Sequence, residues 1–494
     1  MVRPAVLAGS WYPGDAPTLR AAIDGLLADA QVPESLNGAR IAALVVPHAG
    51  LRFSGATAAS GFRLVQGRSY DRVIVIAPAH RGSFAGLAVP PVDAFQTLLG
   101  GIPVDREGLV RLRESPLVDV VPGAHAREHA IEMELPFLQR ALMPGWKLLP
   151  VLVGRMDDGD YAVAADAIRP LADERTLVVV SSDFTHYGPR YGYQPFPPGR
   201  EVAERIRRLD MGLFELMWAF DVEGLLAYQR GTGITACGFG PLMVLTHLLD
   251  GPAEPRLIRY ATSGELTGSY ENSVSYLAAA YVDGSRAAPA PGEDGAYRPE
   301  ELELLHGLAR RALAQAVEEG AESVDPEALV AGMDLPPRLT EPTAAFVTLR
   351  KEGRLRGCIG DVMPIRPLYA SVVANAVNAG LRDRRFRPVT ADELPALVLE
   401  ISVLTPPRSV ASYEDYDVKR QGIILRAEGH RAVYLPEVAR SMGWDRSHTL
   451  SRLAQKAGLE ADAWKTPDAR FAVFSSIKYA APMASDGAQV ARTP

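Results

Sequence analysis

A chain of 494 residues exceeds the roughly 100–200 residues of a common domain, and 47% hydrophobic with 22% charged residues suits two or more globular cores, excluding a disordered, collagen-like or disulfide-stapled chain. Lys+Arg 52 against Asp+Glu 59 gives a formal charge of -7, which weighs against the positive field of a non-specific nucleic-acid binder. Cys237 and Cys358 are the only cysteines, so a disulfide framework is excluded and a reducing cytoplasm is the expected setting.

The opening MVRPAVLAGSWYPGD meets Trp11, Pro13 and Asp15 before a signal-peptide core of about 7–15 residues can form. No apolar run reaches the roughly 18 residues of a membrane span, so no membrane partner is expected. A helix is predicted over 17–30, followed by strands at IAALVV (41–46) and RVIVIA (72–77). A second helix at 131–142 precedes the strand LLPVLV (148–153), and a third at 161–171 precedes LVVVSS (177–182). RLIRYATS and VSYLAAAYVD then read as strands that finish the sheet. This alternation of short β-rich runs with helical patterns predicts an α/β domain over 1–284 with a largely parallel central sheet.

SRAAPAPGEDGAYRPE (285–300) offers nothing to a core, and residues 285–297 read as a linker. Beyond it the order changes to an α+β pattern over 298–482, with a flexible tail at 483–494. AAFVTLRKEGRLRGCIG reads as a hairpin turning at 351–353, PLYASVVANAVNAGL as a helix and LVLEISVL as a strand. GIILRAEGHRAVYL predicts a second hairpin around Glu428 and Gly429, HTLSRLAQKAGL a helix ending at Gly458, and RFAVFSSIKYA a last strand.

Three strands of the first domain run directly into turns bearing His48, His80, and the pair Asp183 and His186. The carboxyl ends of parallel strands line one crevice, so these side chains are expected to converge. Cys237 lies in GITACGFGPLM at the start of a helical pattern, where the positive end of the helix dipole favours thiolate. His48, His80 and Cys237 then form a candidate two-imidazole, one-thiolate metal site with open coordination positions, compatible with Fe(II), Zn(II) or Cu(I). Asp183 and His186 read as an acid/base pair beside it, the carboxylate setting the imidazole tautomer. The same atoms allow a Cys237/His186/Asp183 nucleophilic triad, though without a nucleophile-elbow sequence. In REHAIEMELPFL, His129, Glu132 and Glu134 stand at the head of a helix and read as substrate-pocket or supporting residues, His129 and Glu132 being i,i+3 neighbours, with Glu128 and Glu132 as favourable acids of a first helical turn.

The segments LAGSWYPGD, VPHAGLRFSG, IAPAHRG, REHAIEMELPFL, SSDFTHYG and TACGFGPLM resemble the Memo family over about residues 1–284. The resemblance implies a class III extradiol dioxygenase-like fold, with His48, His80 and Cys237 as metal ligands, the cysteine standing where the dioxygenases carry a glutamate. Asp183 and His186 match its remaining active-site positions, and the dioxygenase analogy makes His186 the acid/base. Residues 298–482 resemble the AMMECR family, with LRGCIG (Leu355 to Gly360) as its hallmark. Microbial relatives of both are often encoded beside a radical-SAM protein, which the resemblance implies as a partner.

Cys358 reads as a small packed residue that could also line the substrate pocket if the LRGCIG surface covers the crevice. The surrounding arginines and lysine, from Arg350 to Arg387, read as a solvated face paired to acids elsewhere. The expected function is a metal-dependent oxygenase using Fe(II) or Cu(I), with Zn(II) ranked behind, and O2. Its substrate would be a small planar aromatic or heteroaromatic molecule such as a catechol-like phenol or an oxindole-like lactam. The alternatives are a non-enzymatic peptide- or protein-binding module and a Zn/thiolate hydrolase using Cys237, His186 and Asp183. Homo-oligomerisation is left open.

Overall fold

The computed structural model describes the chain except for residues 34, 35, 37, 200, 250–252, 284–296, 322, 362, 363, 365, 406, 411, 428, 429, 467, 468 and 485–494. Most of the predicted linker and tail, and the turn expected at Glu428 and Gly429, lie outside the described residues. The chain forms two compact units, Met1–Ala287 and Ala288–Pro494.

In the first unit a nine-stranded sheet is built from β1 (Ile41–Val46), β2 (Arg72–Pro78), β3 (Leu87–Val89), β4 (Val118–Val120), β5 (Lys147–Val153), β6 (Thr176–Ser181), β7 (His186–Tyr187), β8 (Ala253–Thr262) and β9 (Ser273–Asp283). The spatial order is β7-β9-β1-β6-β2-β5-β3-β4, with β8 paired to β9. β1, β6, β2 and β5 run parallel, so their carboxyl ends open on one side. Their Val/Ile/Leu runs are buried, as strands covered on both faces require. The last two predicted strands exist, but β9 joins β1 antiparallel and β8 returns as its hairpin partner.

Helix α1 (Ala16–Asp29) starts where the Asp15 carboxylate accepts from the Thr18 N–H, and it buries Leu19, Ile23 and Leu27 at successive turns. Helix α2 (Leu51–Arg63) follows the His48 turn and packs on the sheet; a Cβ at Gly61 would sit 2.7 Å from Val46 Cγ1, so the close approach needs glycine. The helix predicted over 131–142 is two: α3 (His129–Glu132) and α4 (Leu135–Ala141). Pro136 has no N–H to give the preceding turn and begins the new helix instead. Helix α5 (Asp160–Ile168) matches the third prediction. Helices α6 (Val202–Ala219), α7 (Val222–Thr232) and α8 (Phe239–Leu248) complete what the site needs.

The second unit combines helices with two antiparallel four-stranded sheets. Its strands are β10 (Ala345–Lys351), β11 (Arg354–Gly360), β12 (Leu397–Leu404), β13 (Arg408–Val410), β14 (Gly422–Ala427), β15 (His430–Tyr434), β16 (Arg470–Phe474) and β17 (Ser476–Pro482). The orders are β11-β10-β12-β17 and β13-β16-β14-β15. Helices α9 (Pro299–Glu319) and α10 (Leu368–Leu381) share a core with the first sheet through Leu305, Leu313, Val373 and Leu399. Helix α11 (Arg446–Lys456) covers the second through Leu450 and Leu453.

The segment predicted as one last strand is split between the two sheets at Ser475. There the Thr405 N–H donates to the Ser475 carbonyl at 2.9 Å and the Ser475 N–H to Thr405 Oγ1 at 2.8 Å, pinning the exit and the return. The LRGCIG hairpin turns through Glu352 and Gly353, both at positive φ. Gly357 is required because a Cβ there would stand 2.1 Å from the Ala379 carbonyl oxygen on α10. Four of the nine residues of the basic stretch form ion pairs: Lys351 and Arg356 with Glu393, Arg366 with Asp361, and Arg385 with Asp383.

Candidate metal centre

His48 and His80 stand on the turns that leave β1 and β2, and α3 brings His129 beside them. The ring centroids are 5.2 Å apart for His48–His80, 5.3 Å for His48–His129 and 4.2 Å for His80–His129. One ring nitrogen from each lies within 4.8 Å of the others, a spacing at which three imidazoles can hold one ion.

What orients these rings lies behind them. Nδ1 of His48 is 2.7 Å from Ser181 Oγ, which lies 2.6 Å from Glu134 Oε1 and 2.8 Å from the Ala130 carbonyl. Nδ1 of His80 is 2.9 Å from Glu128 Oε1, and the His80 main-chain N–H donates to Oε2 at 2.7 Å. The same Oε1 caps α3 by accepting from the His129 and Ala130 N–H groups at 2.8 and 3.0 Å. With each Nδ1 engaged, Nε2 of His48 and His80 is left to face a ligand, the usual support of a metal-binding histidine.

Cys237 precedes α8, and its Sγ is 3.3 Å from His48 Nε2 and 3.6 Å from the Asp183 carbonyl oxygen. Two donors on one tetrahedral ion sit about 3.3–3.6 Å apart, so the thiol and His48 can share an ion.

The electrostatics favour neutral, ligating imidazoles. Burial first, then the other histidines, holds His48 well below the usual histidine range, and burial with His80 brings His129 to about 4. Burial acts to raise the Glu128 carboxyl, but hydrogen bonds from His80 and Ala130, with the neighbouring imidazoles, hold it at about 2. The Cys237 thiol departs from the sequence expectation: enclosure of the sulfur, then the Asp183 charge, pushes it well above the ordinary thiol value. Desolvation there outweighs the helix dipole, whose influence is confined to one exposed turn. An ion at the sulfur would reverse that preference by stabilising thiolate.

Burial raises Asp183 to about 6 against the opposing charge of His186. Its Oδ1 accepts from the His48 N–H at 3.0 Å, so it braces the His48 turn. It does not set the tautomer of His186. That falls to two carbonyl oxygens, of Phe184 at 2.9 Å and Thr235 at 3.0 Å from Nδ1; carbonyls only accept, so Nδ1 carries the proton and Nε2 is a free acceptor. The loop is anchored underneath by Asp210 of α6, which accepts from the Thr185 N–H at 3.0 Å and its hydroxyl at 2.6 Å. His48, His80, His129, Asp183 and His186 all line one cavity of about 1000 Å³, with Trp11, Phe53, Tyr191 and Tyr276 among its walls.

Within the first unit, one predicted residue does not join this group. Glu132 turns away from His129 and binds Arg3, the Val6 and Leu7 N–H groups and the Tyr12 hydroxyl, tying down the segment that carries Trp11. Cys358 lies on β11 of the second unit, where its sulfur accepts from the Thr348 hydroxyl at 3.3 Å. The Cys237/His186/Asp183 triad is not assembled, because the sulfur meets His48 and His186 Nδ1 meets carbonyls. Glu134, expected as a supporting residue, holds that place through Ser181; sequence reasoning missed Ser181 and Asp210 and undervalued Glu128, for which the one available signal was its position directly before His129.

A family model described as Memo-like protein matches residues 3–280, more than half the chain. The chain belongs to the Memo family. Its second part is an AMMECR1 domain, matched over residues 306–479. Among Memo relatives, a MEMO1 family protein of Methanopyrus kandleri is 32% identical over 297 residues, 58% of this chain and 100% of that one. Another, from Pyrococcus furiosus, is 36% identical over 287 residues, 56% of this chain and 97% of its own. A crystal structure of an uncharacterized Pyrococcus horikoshii protein is 33% identical, covers 37% of this chain and 92% of its own, and has a TM-score of 0.33. Memo membership supports a dioxygenase-like superfamily and goes no further, since the relatives' names state neither substrate nor reaction. Among the described residues no helix is long and apolar enough to cross a membrane.

Proposed function

We propose that this Memo-family chain is a metal-dependent oxygenase with a class III extradiol dioxygenase-like fold, acting with O2 on a small planar aromatic or heteroaromatic substrate. The observation that carries the reading is the meeting, in one cavity, of imidazoles held by Ser181 and Glu128 with a separate imidazole, His186, whose Nε2 is a free acceptor. His48, His80 and Cys237 would hold the ion, Fe(II) or Cu(I) ahead of Zn(II), the mixed nitrogen and sulfur donors suiting such ions. Bound there, a redox-active ion supplies the electron chemistry that reaction with O2 requires.

The remaining work falls to the chain. Trp11, Phe53, Tyr191 and Tyr276 give the cavity flat walls on which a planar ring can stack. His186 takes the proton from a phenol hydroxyl or lactam N–H at Nε2, its ring held by the Phe184 and Thr235 carbonyls. Asp183, charged above about pH 6, then lies near the imidazolium and stabilises it. A catechol-like phenol and an oxindole-like lactam both present such a proton on a flat ring. A cytoplasmic setting and a radical-SAM protein partner belong to the same proposal.

The test is oxygen uptake by the full chain, loaded anaerobically with Fe(II), Cu(I) or Zn(II), against a panel of catechols and oxindoles. Uptake with a redox ion, lost in His186→Asn while the ion stays bound, is expected. Absence of turnover with every metal despite stoichiometric binding would overturn the oxygenase reading.

A further inference from the structure

We propose that Glu134 is kept as an un-ionised acid that donates its proton to Ser181, and that it is thereby a positioning residue for His48. The positioning role rests on the reading that His48 holds an ion; the protonation does not.

Glu134 is the N-cap residue of α4, where an acidic side chain usually accepts from the N–H groups of the first turn, yet it makes no such cap. Its carboxyl turns inward and is fully buried. Among the described residues Oε1 meets Ser181 Oγ at 2.6 Å, and Oε2 has no hydrogen-bond partner. A carboxylate offers about four acceptor sites, so enclosing its charge with so few donors is costly, whereas a neutral acid leaves only one carbonyl oxygen unpaired.

The Ser181 hydroxyl fixes the proton count. It has one hydrogen and three neighbours: the Ala130 carbonyl at 2.8 Å, Glu134 Oε1 at 2.6 Å and His48 Nδ1 at 2.7 Å. The carbonyl can only accept, so it takes the hydroxyl hydrogen. Both other neighbours must then donate to Oγ, Glu134 through an O–H on Oε1 and His48 through Nδ1–H. An ionised Glu134 would compete with the carbonyl for that single hydrogen and leave a buried acceptor without a donor. Burial, opposed by the Ser181 contact, and then the Asp183 charge push the Glu134 carboxyl well above the usual carboxylate range, in agreement with this count.

The two imidazoles are therefore supported differently. His80 Nδ1 meets the Glu128 carboxylate, whereas His48 Nδ1 meets a neutral chain that ends at Glu134. The two supports join at Ala130, whose carbonyl accepts from Ser181 and whose N–H donates to Glu128. His48 Nε2 is left toward Cys237.

The first test is the infrared difference spectrum of the metal-free full chain at neutral pH, wild type minus Glu134→Gln, in which the other buried acids, Asp183 and Asp210, cancel. The expected result is the carbonyl band of an un-ionised carboxylic acid, moved to higher wavenumber when the same difference is taken in a Ser181→Ala background. A difference spectrum with carboxylate bands and no acid band would overturn the protonation. The second test is Co(II) titration. Glu134→Leu, of similar size and without a donor, should lose about 10–100-fold in affinity while its circular dichroism stays native, and Glu134→Gln, whose NH2 still donates to Ser181, should recover most of that loss. Wild-type affinity in a folded Glu134→Leu chain would overturn the positioning role. Wild-type protein that binds no Co(II) would overturn the metal reading and the positioning role with it, while the acid band decides the protonation separately.

Discussion

Replacing Glu128 by glutamine is the substitution that most sharply separates orientation of the site from its mere presence. The carboxylate receives four N–H groups: His80 Nδ1, His129 N and Ala130 N on Oε1, and His80 N on Oε2. Glutamine keeps one oxygen, which can serve the Oε1 group, and then its NH2 must face the His80 N–H at what was a 2.7 Å acceptor contact. One charge-assisted hydrogen bond is lost and two donors are opposed, which costs about 2–3 kcal/mol of folding stability. The His80 ring also loses the carboxylate that orients it as a ligand, for which about 10–100-fold in metal affinity is expected, or about 1.4–2.7 kcal/mol. The assay is competition between the protein and a chromophoric chelator for Co(II) or Zn(II) at neutral pH, beside a thermal melt of the metal-free protein. The melt reports the folding loss and the competition the orientation loss, so each has its own readout. Wild-type metal affinity in a folded Glu128→Gln chain would refute the claim that this carboxylate aims the imidazoles.

Glu132→Ala strands the buried Arg3 guanidinium and three further donors; a loss of about 3–5 kcal/mol is expected from urea unfolding of the first unit, and a loss below about 1 kcal/mol would contradict the clamp. Gly357→Ala drives a methyl into the Ala379 carbonyl and should lower the stability of the second unit by about 1–3 kcal/mol in a thermal melt, whereas an unchanged melt would mean that the strand and α10 separate freely. Arg356 and then Lys351 hold the folded Glu393 carboxyl at about 2, below its unfolded value near 4.3, so its contribution is full above about pH 4.3 and fades as pH falls through about 2. Glu393→Gln should therefore flatten the acid side of the pH dependence of unfolding between those values, and an unchanged slope would place the pair's effect elsewhere.

The strands that carry the site were legible because their β-branched apolar runs have few other ways to be buried. The parallel-sheet rule then placed His48, His80 and the Asp183–His186 loop at one edge before any contact was known. Helix α2 was not legible: LRFSGATAASGFR is rich in glycine, serine and threonine, and it is helical because small residues let it lie against the sheet and α1. REHAIEMELPFL read as one helix, whereas it is two, and within the first turn Glu132 faces Arg3 while His129 faces the cavity. The helix-start position of Cys237 suggested an easily ionised thiol, but dipole reasoning takes no account of how deeply a sulfur is enclosed. Glu128 reaches His80 across 48 residues of chain, Ser181 reaches His48 across 133 and Asp210 reaches Thr185 across 25, and no local pattern encodes such pairs.

Everything proposed for this chain depends on one ion being held where β1 and β2 end. Full-length protein prepared without oxygen, titrated with Fe(II) and with Co(II), should bind one equivalent per chain, and His48→Ala or His80→Ala should abolish that binding while the circular dichroism stays native. Retention of the same stoichiometry and affinity after both histidines are removed, or no binding by the wild-type chain, would contradict the account.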